Sequence, residues 1–283
     1  MPPRSTPTER QRRLGAELRK MRVAAGMTTE FAAGLLGVPR TNVPNMESGR
    51  SGISADRVRT LASNYGCADE ELVDALAAMA SERDKGWWEQ YRGQLPVSFL
   101  DIAEMEWRAR RLRIALTVHM PGILQTEQHA RAVFEAVIPR LPASDVDVRV
   151  AHRLARQQVL DRAEPPQVDV IIHEAALRMQ FGGAAVARGQ LEHLLRVGER
   201  DFVTLRVIPF AAGSFPGAGQ SVIYAGAEVP GLDTVELDST HGAEFIDTEM
   251  QLQKYRAQLD AMESVALKPN ASRDLIRALA DDL

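Results

Sequence analysis

Several residue sets in this 283-residue chain have the types that catalysis or cofactor binding needs, but not the spacing. His173–Glu174–Ala175–Ala176–Leu177 begins like the zinc-protease helix, in which two histidines four apart hold the metal and the glutamate acts as base. Leu177 stands where the second histidine belongs. The six histidines, His119, His129, His152, His173, His193 and His241, are dispersed without metal-ligand spacing. Gly217–Ala218–Gly219–Gln220–Ser221 lacks the third glycine of a dinucleotide loop and runs into a strand pattern, not a helix. Ser221 has no glycine two residues later, so it is no nucleophile elbow. Cys67 is the single cysteine, which excludes a disulfide framework and multi-cysteine metal or iron–sulfur sites. These readings predict no enzyme, no metal and no cofactor.

Charge points elsewhere. The net charge of −4 conceals a basic head on an acidic body: residues 1–60 carry 11 basic and 5 acidic residues, and residues 61–283 carry 23 and 33. That asymmetry suits a nucleic-acid-binding head. The plainer alternative is a solvated tail made of Arg4, Arg10, Arg12 and Arg13. Apolar residues at 45% and charged residues at 25% are ordinary for a globular protein. No apolar run approaches the ~18 residues of a membrane span. Residues 1–13 carry no apolar segment behind them, so no signal peptide is expected and a cytoplasmic location follows.

The elements that must position any site divide in two, and the expected fold class is α+β. Residues 1–80 read as five short helices. These are Leu14 to Ala25, Phe31 to Leu36, Val38 to Glu47, a fourth capped by Ser54, and a fifth running from about Glu70 to Ala80. Gly26, Gly37, Gly49 and Gly66 sit at their ends. Residues 81–100 form a connector containing Lys85, Trp87 and Trp88, with the tryptophan pair expected either to anchor one domain on the other or to cage a ligand. Residues 101–283 mix periods. Helices are expected at Ile102–Ile114, Glu127–Val137, Ser144–Arg162, Gln190–Glu199, Ile246–Met262 and Ser272–Ala280. Ala115 to His119 reads as extended, strands are expected at Val168–Ile172, Val203–Ile208, Gln220–Tyr224 and Thr234–Leu237, and a glycine-rich loop spans Phe210–Gly219.

One pattern within the helical head carries function. Leu14–Gly15–x–x–Leu18–Arg19–x–x–Arg22, then Gly26–Met27–Thr28, Leu36–Gly37–Val38 and Met46–Glu47–Ser48–Gly49–Arg50 resemble the Cro/cI-type helix-turn-helix regulators, the xenobiotic-response-element family. The short turn at Gly37 holds the second and third helices at an angle, which lets the third enter a major groove about 12 Å wide. The resemblance places Arg40, Thr41, Pro44 and Asn45 toward the bases. Arg40 would read guanine O6 and N7, and Asn45 would read adenine N6 and N7. Thr28 and Thr29, at the start of the second helix, are expected on phosphate, with Arg19, Arg22 and Arg50 also on the DNA backbone. Pro44 departs from the pattern. About five residues into the expected third helix it would cost ~3 kcal/mol, predicting a bent or shortened reading helix. Phe31 and Ala32 depart too, since these positions usually hold a polar residue and a larger aliphatic.

A second resemblance spans most of the chain beyond Lys85. Gly86–Trp87–Trp88, Pro121–Gly122–Ile123–Leu124–Gln125–Thr126, Arg153–Leu154–Ala155–Arg156–Gln157, Glu174–Ala175–Ala176–Leu177–Arg178, Gln190–Leu191 and Val207–Ile208–Pro209–Phe210 are similar to the actinobacterial C-terminal domain of WhiJ-like and antitoxin-like regulators. From the residues themselves, Trp87, Trp88, Gln125, Arg153, Arg156 and Gln157 would line a ligand or partner pocket. The alternative is that Arg153 and Arg156 pair with Glu174 and others as structural salt bridges.

Two functional expectations follow. The first is a homodimeric transcriptional regulator that reads double-stranded DNA, with a C-terminal domain for a small-molecule effector or a protein partner. The second is an antitoxin-like protein whose main task is to bind a small protein encoded nearby, with DNA binding auxiliary.

Overall fold

Capping side chains at helix starts and glycines at helix ends divide the first third of the chain. The computed structural model describes residues 6–82, 86–239 and 241–283. Arg4 of the basic leader and Lys85 of the connector lie outside the described residues. Helix α1 (Glu9–Ala24) starts at Thr8, whose hydroxyl oxygen accepts from the Gln11 N–H while the Gln11 side chain accepts from the Thr8 N–H. Helices α2 (Thr29–Leu35), α4 (Ala55–Asn64) and α5 (Glu70–Ser81) start at Thr28, Ser54 and Asp69, each accepting an N–H three residues on.

Helix α3 (Asn42–Glu47) is built differently. A turn in which the Asn42 N–H donates to the Pro39 carbonyl (2.9 Å) delays its start, and Thr41 precedes it without a side-chain cap. The expected helix from Val38 is therefore four residues shorter. The consequence for Pro44 is a correction: it stands third in the helix, in the first turn, where its missing N–H has no intrahelical acceptor to lose. No interior penalty applies. Helix α1 is longer than expected, and Arg10, Arg12 and Arg13 are helical residues, not a solvated tail.

The five helices close on Leu18, Ala32, Ala33, Val43, Val58, Leu61 and Leu76, all buried. Helix α1 runs against the end of α3 with no room for a side chain at Gly15, where a Cβ would lie 2.4 Å from the Glu47 carbonyl oxygen. At Gly49, φ +71°, a Cβ would lie 2.8 Å from the backbone of Gln11.

The chain divides into two units, 1–87 and 88–283. In the second, Trp88 belongs to a short 3-10 turn that begins at Trp87, and α6 (Val97–Arg108) follows. The expected helix to Ile114 stops at Arg108, and Arg111–Leu116 is strand β1, with Leu112 and Ile114 buried. The alternation of Arg111–Leu112–Arg113–Ile114 was the overlooked signal. Helices α7 (Glu127–Glu135) and α8 (Ala143–Arg156) lead to β2 (Gln167–His173). Helices α9 (Glu174–Arg178) and α10 (Ala184–Val197) lead to β3 (Val203–Ile208). A meander of β4 (Val222–Gly226), β5 (Thr234–Ser239) and β6 (Gly242–Ile246) follows, and α11 (Glu249–Val265) and α12 (Pro269–Asp281) end it. Strand β6 was not expected: the sequence reading assigns residues 242–245 to no element and starts a helix at Ile246.

The sheet order is β3-β2-β1-β4-β5-β6, with β1 to β3 parallel and the remaining pairs antiparallel. Strand β2 buries Val168, Val170 and Ile172 on one face and Ile171 on the other, which also carries Gln167, Asp169 and His173. Leu112, Ile114, Val170 and Val207 pack with Leu191 and Leu194 of α10 and Ile276 of α12. On the opposite face Val222, Tyr224, Val235 and Leu237 pack with Leu252, Leu259 and Met262 of α11. The mixed α+β class is as expected. Among the described residues no helix is long and apolar enough to cross a membrane.

Candidate nucleic-acid interface

The first unit holds α3 from behind. Arg22 of α1 is buried and grips Glu47 at the end of α3 with two charge-assisted bonds, Nε to Oε1 at 2.5 Å and Nη2 to Oε2 at 2.9 Å. Its third bond goes to the Met27 carbonyl at 2.7 Å, so Arg22 ties α3, α1 and the approach to α2 together. The hydrogen bond to Glu47 raises the guanidinium above its usual value despite burial. Arg22 is therefore a structural brace, and the expectation that it contacts a DNA phosphate is corrected.

The front of α3 is the opposite. Arg40 and Thr41 are exposed in the turn before the helix, Pro44 is exposed in its first turn, and Asn45 is half-buried. The Asn45 carbonyl accepts from the Ser51 N–H and the Ser48 hydroxyl, which fixes its backbone while its side-chain amide makes no hydrogen bond among the described residues. Thr28 is exposed and caps α2, leaving its O–H free to donate; Thr29 beside it is half-buried. Arg50 and Arg19 are exposed and make no ion pair among the described residues. The structure thus brings Arg40, Thr41 and Asn45 together at the start of α3.

The sequence reading missed Glu30. Its carboxylate lies 3.4 Å from the Arg40 guanidinium, both side chains largely exposed. The available signal was an acidic residue in the first turn of α2. It also overcounted free charge. Arg10 pairs with Glu82, Arg12 with Glu9, Arg13 and Lys20 with Glu17, and Arg59 with Asp74, all within 2.8 Å. What remains for a phosphate backbone is a few cations at defined places.

In the second unit the expected pocket residues meet, but they bond to one another. Gln125 is buried and donates to the Met120 carbonyl at 2.9 Å. It accepts from Arg153 at 2.7 Å, and Gln157 donates to its carbonyl at 2.5 Å. Arg153 lies 4.8 Å over the Phe134 ring, and burial beside Arg156 pushes its guanidinium down to about 9. Arg156 pairs with buried Glu106, Nε to Oε2 at 2.7 Å and Nη2 to Oε1 at 2.5 Å. Neither arginine pairs with Glu174, but the Arg156–Glu106 pair is a structural salt bridge of the kind the alternative reading described. Glu174 takes Arg178 at 2.8 Å and the Phe210 N–H at 2.8 Å, holding the turn after β3. Gln190 performs the same service for Pro121–Thr126, donating to the Leu124 carbonyl and accepting from the Thr126 N–H, both at 2.7 Å.

Trp87 ends the first unit half-buried, and Trp88 is buried with its ring 6.5 Å from that of Trp107 and Arg108 5.9 Å above it. His173 caps α9 through Nδ1, accepting from the Ala175 N–H at 3.2 Å, and its ring stacks on Phe215. Among the described residues no group of three or more His, Cys, Asp or Glu is placed to hold a metal ion.

A braced helix whose forward side chains stay exposed defines a helix-turn-helix DNA-binding regulator, and residues 13–76 match the family model described as a helix-turn-helix domain. Residues 99–278, most of the remaining chain, match the model described as a domain of unknown function, DUF5753, and the chain belongs to that family. No curated protein and no solved structure matched the chain in these comparisons.

Proposed function

We propose that this protein is a homodimeric, sequence-specific transcriptional regulator of the xenobiotic-response-element type, acting in the cytoplasm and without catalytic activity of its own. Arg40 and Asn45 read base edges. Thr28, Thr29, Arg19 and Arg50 hold the phosphate backbone, and Thr41 lies between the two groups. The C-terminal domain receives a small-molecule effector or a protein partner, in the manner of the WhiJ-like regulators its sequence resembles. The observation that carries the reading is the division of labour on α3: Glu47 is locked to Arg22 behind, while in front Arg40 is held only by a long, exposed pair with Glu30 and the Asn45 amide stays available. With Pro44 in the first turn, the argument from a broken reading helix falls away.

A labelled duplex from the region upstream of the gene, run beside a scrambled duplex at low and moderate salt, tests it. Preference for the native duplex that survives moderate salt is expected, because phosphate contacts alone collapse as salt rises. Equal and salt-fragile binding to both duplexes would sink the reading.

A specific feature favours the antitoxin-like alternative. Phe31 and Leu35 sit one helical turn apart on α2 and are 57% and 46% exposed, an apolar face more suited to a protein than to DNA. Capture of the product of an adjacent small gene, lost in Phe31→Glu, would move the balance to that reading.

A further inference from the structure

The edge of the sheet at β3 is only partly covered. Strand β3 pairs only with β2, so one of its sides faces away from the sheet. On that side the Val207 N–H donates to the Ser272 hydroxyl at 2.9 Å, and the Val207 carbonyl accepts from the Leu267 N–H at 2.8 Å. Two residues earlier the alternation of a strand gives Leu205 the same outward orientation. Neither the Leu205 N–H nor its carbonyl has a hydrogen-bond partner among the described residues.

Leu205 lines a cavity of about 100 Å³ between α10, β3 and α12. Its walls include Leu194, Leu195, Val203 and Ile276, and Arg273 with Asn270 stands at one side. Arg273 spends one N–H on the Gly198 carbonyl at 2.8 Å and has no carboxylate within salt-bridge distance among the described residues. A small cavity of mixed lining with an aliphatic patch at Leu194, Leu195 and Ile276, an unpaired donor and acceptor on a strand edge, and an arginine lacking an acid among the described residues thus converge in one place.

We infer that this cavity is a binding site for an aliphatic α-amido carboxylate, either a free N-acyl amino acid or the C-terminal residue of a peptide. The amide pairs with the Leu205 backbone as an added strand would, and the side chain fills the space beside Leu194, Leu195 and Ile276. The carboxylate takes the free donors of Arg273. The inference stands on the second unit alone and is independent of the DNA-binding reading.

The test is isothermal titration of the full chain with N-acetyl-L-leucine, N-acetyl-L-leucinamide and the free-acid tetrapeptide Ala-Ala-Ala-Leu. Saturable binding of the acetyl acid is expected, weakened about tenfold in the uncharged leucinamide, which forfeits the charge-assisted bonds. Arg273→Gln is expected to weaken the acid to the level of the amide. Leu195→Trp, which fills the cavity from a partly exposed position, is expected to abolish binding while Arg273 remains. A peptide that binds more tightly than the acetyl acid marks a peptide C-terminus as the occupant, and equal affinity marks the small molecule. No saturable binding, an amide as tight as the acid, or unchanged binding in Leu195→Trp would overturn the inference.

Discussion

The two polar clusters of this protein look alike in the sequence and are opposite in the structure. The start of α3 and the Gln125–Arg153–Arg156–Gln157 group each combine arginine with amides, although Gln125 lies 28 residues before Arg153. At α3 the side chains face outward, with only the exposed Glu30 against Arg40. In the second unit Gln125, Arg153 and Gln157 close on one another, and Arg156 closes on Glu106. A surface built for an external macromolecule leaves donors unspent, because the partner supplies the acceptors. A scaffold must spend them internally, because a buried unpaired polar group costs about 1–3 kcal/mol and a charge more.

The largest expected effect comes from breaking the scaffold. Glu106→Ala leaves Arg156 buried and uncompensated, and a loss of about 3–5 kcal/mol is expected in denaturant unfolding. A loss below about 1 kcal/mol would mean that the pair is wet and that the contrast with α3 is false.

Next are the reading residues and their brace. Arg40→Ala and Asn45→Ala should each cost about 1–3 kcal/mol on the cognate duplex, with little change on scrambled DNA or in stability. Arg22→Ala should instead lower the stability of the first unit, since it strands Glu47. If Arg22→Ala weakened binding at full stability, its place behind α3 would be wrong.

A comparable effect is expected from pH. Burial, with Asp238 next in importance, pushes Glu236 up to about 8. Burial, with neighbouring cations, holds His129 at about 4 and His152 at about 3. The two histidines bind protons in the unfolded chain but not in the folded one below about 6.5, so stability rises with pH up to there. Glu236 keeps its proton in the folded chain only, so above its unfolded value of 4.5 it works the other way until about pH 8. With two groups against one, stability should peak near pH 6.5 and then fall by about 2 kcal/mol toward pH 8. Glu236→Gln should flatten the alkaline side; a decline that persists there would place its cause elsewhere.

The smallest effect belongs to the backbone cations. Arg19→Ala and Arg50→Ala should weaken native and scrambled duplexes alike, each reducing the slope of log affinity against log salt by about 1. A sequence-dependent loss at either would enlarge the reading surface beyond α3.

Much of this was legible in the chain. Thr28, Ser54 and Asp69 announced helices because an N-cap acts within three residues, and Val203–Ile208 announced a strand because its alternation is local. The ends of α3 and α6 were misread for one reason: helical spacing was extended past a turn at Pro39 and past an alternating stretch at Arg111. Arg22 was misassigned because its partner, Glu47, lies 25 residues away. The same holds for Arg156 and Glu106, 50 residues apart.

By itself the sequence determined where the helices begin, that a basic helical head precedes a mixed domain, and that the zinc-protease and nucleophile-elbow patterns are incomplete. Caps, periods and short motifs are properties of neighbours along the chain. Only the tertiary structure decided which arginines were spent. Arg19 and Arg22 are three residues apart, yet one meets solvent and the other is clamped onto Glu47. A cation's availability depends on which acid the fold carries to it and on how much water remains around it. Neither is encoded in local spacing.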